Sequence, residues 1–234
     1  MSTLVSLLLA SILPLAALSM TSFVKVSTVL GIVRSGIGAN DVPSGTVILA
    51  LSVALSALVM SPVVRVVADK LEADPAFHAP AAPSQDKHDA RASDDTAKLG
   101  LVLSAAREPV RGFLKANTAP REQERFFSLA VNASRAANIT PGSANPAVSP
   151  SADDFTVLTP AFLTTELTEA FSLGVALLLP FLVIDLVVAN LLVVLGLSSL
   201  SPTQVSLPLK LLLFVSIDGW GLLGQSLISG YQPG

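Results

Sequence analysis

The chain has 234 residues, of which 51% are hydrophobic and only 13% charged, with a mean hydropathy of +0.68; a soluble domain carries about 25% charge, so the composition excludes an ordinary water-soluble globule and points to a membrane. A net charge of -3 gives no electrostatic footprint for nucleic acid. The lack of cysteine excludes disulfides, a thiol nucleophile and a cysteine-ligated metal.

The first apolar segment runs from Leu4 to Leu18, interrupted by Pro14 and without a positive flank at Met1-Ser2-Thr3. Ala16-Ala17-Leu18-Ser19 offers the small residues of a cleavage site. The apolar pattern resumes at Phe23, which favours a retained first helix. The second piece spans Phe23 to Ile37, flanked by Lys25 and Arg34, and ends in the turn residues Gly36-Ile37-Gly38-Ala39-Asn40-Asp41. Val47 to Val67 forms the next apolar helix, and Pro62 is expected to kink or end it.

Residues 74–98 hold Pro75, Pro80, Pro83, alanine runs and scattered charge, and read as an irregular loop. From Lys98 to Ala137 two amphipathic helices are expected, punctuated by Pro109 and Pro120. A second linker covers 138–154. Phe162 to Leu200 exceeds one bilayer crossing, with Pro180 expected to kink it. Ser198-Ser199-Leu200-Ser201-Pro202 turns the chain, and a last helix is expected as one piece from Thr203 to Ile228. The expected organisation is an apolar part over 1–72, a polar insert over 73–158 and an apolar hairpin over 159–234. The fold class is all-α, membrane-associated, built of helical hairpins with kinked long helices.

No catalytic constellation is present, so no enzyme is expected. His78 and His88 are the only histidines and fall in the polar stretch; no phosphate-binding glycine loop and no metal set is seen, so no cofactor is implied. Between Leu173 and Tyr231 the charged residues are Asp185, Lys210 and Asp218. Charge inside an apolar span is costly and is retained where it meets protein or water. Asp185, in Phe181-Leu182-Val183-Ile184-Asp185-Leu186, reads as an interhelical or intersubunit clamp, the rival being a proton relay; Asn190 extends a polar seam. Lys210 and Asp218 are eight residues apart, roughly 12 Å along a helix, too far to pair directly. Counted outward from the turn, Lys210 and Asp185 are candidate partners across the hairpin. A proton-coupled transporter using Asp185 and Lys210 is the alternative function.

The block Pro180-Phe181-Leu182-Val183-Ile184-Asp185-Leu186-Val187-Val188-Ala189-Asn190, then Leu195-Gly196, Ser201-Pro202, Ser206-Leu207-Pro208-Leu209-Lys210 and Asp218-Gly219-Trp220, closely resembles the R subunit of the type III secretion export apparatus. That family is called FliP in flagella and SctR, YscR or HrcR in injectisomes. Met20-Thr21-Ser22-Phe23-Val24-Lys25, Met60-Ser61-Pro62, Arg107-Glu108-Pro109-Val110-Arg111 and Glu166-Leu167 continue the resemblance. It implies a non-enzymatic subunit of an export gate, a homo-oligomer (a pentamer) joined by the small S (FliQ-like) and T (FliR-like) subunits in a cone-shaped helical pore. The implied setting is the bacterial inner membrane, multi-pass, with much of the complex toward the periplasm. The other implied partners are the gate protein, the secretion-system base, unfolded substrate proteins and lipid. The resemblance places the pore constriction at Leu197, Ser198, Ser199 and Leu200. The family commonly has methionines there, and an adaptable thioether suits a deformable seal better than a leucine–serine loop does.

Overall fold

The computed structural model describes residues 14, 18–38, 43–78, 87–138, 150–197 and 199–232. The Leu4–Leu18 segment, the turn at 39–42, most of the second linker and Ser198 therefore lie largely or wholly outside the described residues. Within those described there is no strand. Eight helices follow one another: α1 (Phe23–Ile37), α2 (Gly45–Ala73), α3 (Pro75–His78), α4 (Lys87–Ala116), α5 (Pro120–Asn138), α6 (Phe155–Val194), α7 (Pro202–Ser216) and α8 (Gly219–Ser229).

Two compact units are formed. One gathers residues up to 59 with 163–231; the other gathers 60–162 with 232–234. In the first, α1 is the centre. Val26, Val29, Leu30, Val33 and Ile37 recur at three- and four-residue spacing and are at most 1% exposed. They pack with Ile48, Ala170, Phe181, Phe214, Leu223 and Leu227. Gly38, at φ +82°, ends α1 in the left-handed conformation.

Close approach of α1 and α6 depends on two glycines. A Cβ at Gly174 would stand 2.5 Å from Ile32 Cδ1, and one at Gly36 would overlap Leu178 and touch Phe181 at 3.0 Å. Small residues of this kind let helices pack where apolar surroundings give no hydrophobic drive to associate.

In the second unit Phe113 meets Phe162 edge to face at 5.8 Å between ring centroids, and Leu114, Val157 and Leu158 are fully buried beside them. Asn117 binds Gln232 reciprocally: its Nδ2 donates to Gln232 O at 3.0 Å and its Oδ1 accepts from Gln232 N at 2.9 Å. Lys115 pairs with Asp153 at 2.7 Å.

Several expectations need correction. α2 does not end at Pro62 but continues to Ala73. α6 starts at Phe155, where Asp154 O accepts from Val157 and Leu158 at 2.9 and 2.8 Å. The polar stretch 74–98 is helical over α3 and from Lys87 onward; no proline falls between Pro83 and Pro109, and Ala, Lys and Arg are good helix formers. The last apolar segment is two helices bent by 59°. Asp218 takes the left-handed conformation at φ 52°, ψ 51°, tolerated by aspartate better than by most residues. Gly219 follows, where any side chain would overlap the Phe214 ring.

By length and composition α2 and α6 are each able to cross a membrane, and a third crossing results if α7 and α8 form one broken span. Gly174→Ala is expected to lower stability by about 1–3 kcal/mol through overpacking against β-branched Ile32, and Ile32→Ala in the same chain should restore most of it. Thermal unfolding in detergent checks both; equal loss in single and double variants would contradict the packing described.

Candidate functional site

Two of the three lone charges of the apolar hairpin, Asp185 and Lys210, meet in the first unit. Lys210, on α7, is 2% exposed. Its ammonium donates to Asp185 Oδ2 on α6 at 2.6 Å and to Gly36 O near the end of α1 at 3.1 Å. Ser206, one turn before Lys210, donates to Asp185 Oδ1 at 2.5 Å and is fully buried. Asp185 thus accepts from two α7 donors, one on each oxygen. Charge-assisted bonds of this kind are about twice as strong as neutral ones. One cation joins three helices, and its second acceptor is a carbonyl that α1 leaves open at its C-terminus.

Asn190 and Asp218 are not brought into this cluster. Both are exposed within the single chain. Asn190 Nδ2 donates back to Leu186 O at 2.9 Å, a bond within its own helix. Asp218 sits at the α7–α8 break.

The turn at the hairpin tip is closed by backbone. Leu197 N donates to Leu192 O at 2.9 Å and Gly196 N to Val193 O at 3.1 Å, with Gly196 at φ +71°. This six-to-one, five-to-two pair satisfies the last carbonyls of α6 and needs the left-handed residue. Leu197 and Leu200 follow, 43% and 47% exposed, with Ser199 exposed between them. Pro202 then opens α7 at its first position.

A second buried cluster was not singled out in the sequence. Lys25, in the first turn of α1, is 2% exposed and Glu166, on α6, is 1% exposed. Lys25 Nζ lies 2.5 Å from Glu169 Oε2 and 3.8 Å from Glu166 Oε1. Tyr231 donates its phenol proton to Glu166 Oε2, and its ring lies 4.5 Å from the Lys25 ammonium. Burial, then the Glu166 carboxylate beside it, pushes the Tyr231 phenol above its ordinary value of 10.0, so it remains a protonated donor at physiological pH. The signal was present in the pattern. Lys25 is four residues before Val29 and eight before Val33, on the stripe that faces the core; Glu166 lies between Phe162 and Ala170 at four-residue spacing. Both interrupt an apolar stripe rather than flank it.

Among the described residues no group of three or more His, Asp and Glu is placed to hold a metal ion. The buried charges are fully engaged with one another and with backbone, an arrangement that fixes helices against each other. Apolar helices long enough to cross a bilayer, tied by internal ion pairs, define the class as a helical protein of membrane-spanning type.

Comparison with known proteins narrows this class. Residues 6–227 match the FliP family, and the chain belongs to that family. It is 40% identical over 229 residues to the pathogenicity-related ORF2 of Xanthomonas campestris pv. glycines, covering 98% of this chain and 95% of that one. It is 37% identical to the hypersensitivity response secretion protein HrcR of Ralstonia nicotianae over 95% of this chain and 93% of that one. The flagellar biosynthetic protein FliP of Pectobacterium carotovorum is also 37% identical, over 98% of this chain and 78% of that one. The relatives thus come from both type III secretion and flagellar biosynthesis.

The two partners of the α6–α7 pair differ in burial, 3% exposed for the Lys210 side chain against 35% for Asp185. Asp185→Ala strands a buried cation and is expected to cost about 3–5 kcal/mol. Lys210→Met leaves a carboxylate that reaches solvent and keeps Ser206, and should cost clearly less. Denaturant titration of the two purified variants checks the order; a larger loss for Lys210→Met would refute it.

Proposed function

We propose that this chain is a core subunit of the type III protein export gate in the inner membrane, lining the channel through which unfolded secreted proteins pass. The observation that carries the reading is where apolar surface lies. Along α6, Phe171, Val175, Leu179, Leu182, Val183, Leu186, Val193 and Val194 are 55–82% exposed, while Glu166 on the same helix is buried and Asp185 is turned to Lys210 of α7. An outside this apolar is completed by lipid or by neighbouring subunits. Family membership favours neighbours of a secretion apparatus.

In this reading several copies, a pentamer with smaller S- and T-type subunits, surround a channel, together with the gate protein and the secretion-system base. The mechanism is passive. The tip at Leu197, Ser198, Ser199 and Leu200 forms the constriction, with the two leucines as the apolar plug. The Gly196 turn and the Asp185–Ser206–Lys210 tie fix the two helices that carry it, so the tip changes width only as helices shift. No chemistry on the polypeptide is required, and no step calls for a cofactor. Asn190 and Asp218, exposed in the single chain, are assigned to contacts with neighbouring copies. Proton-coupled transport through Asp185 and Lys210 has no observation in its favour, since each is bound to fixed partners.

The chain has no cysteine, so one introduced at Leu200 is unique. Leu200→Cys is expected to crosslink to a substrate stalled during export, and a cysteine at exposed Leu103 on α4 is not. Secretion that proceeds with no crosslink at 200 would contradict the channel-lining role. Leu197→Ser with Leu200→Ser should raise ion leak through the assembled complex, measured as conductance in planar bilayers; unchanged leak would remove these leucines as the plug.

A further inference from the structure

The Lys25–Glu166–Glu169 cluster holds two carboxylates and one ammonium, and the segment after α8 closes over it. Gly230 brings the backbone to that position: a Cβ there would stand 3.7 Å from Lys25 Nζ. Tyr231 then places its phenol on Glu166 and its ring against Lys25, and the Ser22 hydroxyl acts on the phenol as well, against the upward push of burial. Ser22 is fully buried and donates to Ser56 of α2 at 3.1 Å. Three elements, α1, α6 and the segment 230–231, thus meet around one cation, and α2 adds a hydroxyl at its edge.

Without the tyrosine, Glu166 loses a donor and one face of Lys25 loses its cover. A buried carboxylate short of partners is costly, and water is the available replacement. The match to the FliP family runs to residue 227, so this closure lies beyond the matched region.

We propose that Tyr231 is a strap that seals the buried Lys25–Glu166 pair from water and clamps α1 to α6, and that its release is a local opening of this junction independent of the hairpin tip. The groups facing it are Lys25 from α1, Glu166 and Glu169 from α6, and the Ser22 and Ser56 hydroxyls. The phenol is held above its ordinary value of 10.0 by burial and then by Glu166. A group raised in the folded state contributes stability that is complete below its unfolded pKa and is lost as pH rises past it. Ionisation of the phenol therefore does not open the strap between about pH 6 and 9.

Ser22→Cys in the cysteine-free full-length chain serves as reporter, with maleimide labelling followed in lipid nanodiscs and compared only within that background. The reporter alone should label slowly. Adding Tyr231→Ala should speed labelling by about tenfold or more, and adding Tyr231→Phe, which keeps the ring over Lys25, by a smaller factor. A cysteine at buried Leu192, near the hairpin tip, should label at the same slow rate with either tyrosine variant, which separates strap release from general unfolding. Unchanged labelling of position 22 in Tyr231→Ala overturns the strap, as does equal acceleration at positions 22 and 192.

Discussion

A single buried ammonium sets the arrangement of the first unit. Lys210 lies in a run of leucines, where an unpaired charge would cost several kcal/mol, and the chain meets that cost with partners from two other helices. Asp185 on α6 supplies the counter-charge and Gly36 on α1 a free carbonyl. Ser206 occupies the second carboxylate oxygen. α6 and α7 are thereby held in one register below the tip, and the end of α1 is fixed against both. The positions of Leu197 and Leu200 follow from that register and from the left-handed Gly196 that turns the chain.

The apolar contacts around this tie give no register of their own. Leucine and valine slide past each other at little cost, and in apolar surroundings they give no net drive to associate. Direction comes from features that tolerate one arrangement only. Gly174 admits Ile32, Gly36 admits Leu178, and Gly219 admits the Phe214 ring, which also stacks edge to face with Trp220 at 5.1 Å. The two ion clusters pin α1 near its two ends, Lys25 in the first turn and Gly36 in the last. The charges Lys25, Glu166 and Lys210 are buried while much that is apolar faces outward, the reverse of a soluble domain. That inversion is what links the fold to assembly in a membrane.

Asp185 and Lys210 were legible because each stood alone in an apolar run, and distance from the turn suggested that they meet. Lys25 and Glu166 were not, although the structure buries them more deeply than Asp185. Each lies close to an expected helix start, where a charged residue ordinarily faces water, and only its register with Val29 or Ala170 betrays it. The break at Asp218 had a local signal in the turn dipeptide Asp218-Gly219, but apolar residues resume on both sides and favoured one continuous helix. The helical start of α4 was hidden by composition, since alanine with scattered charge reads as an unstructured stretch when prolines precede it. The partner of Asn117, at Gln232, is 115 residues distant, and no local pattern reveals such a pairing.

The central claim is that this chain builds an oligomeric export gate, and native mass spectrometry of the detergent-extracted protein co-expressed with its candidate S- and T-type neighbours tests it most directly. The account predicts a ring of about five copies carrying the smaller subunits, consistent with closed cyclic symmetry. A monomer or dimer that ignores those neighbours would contradict it.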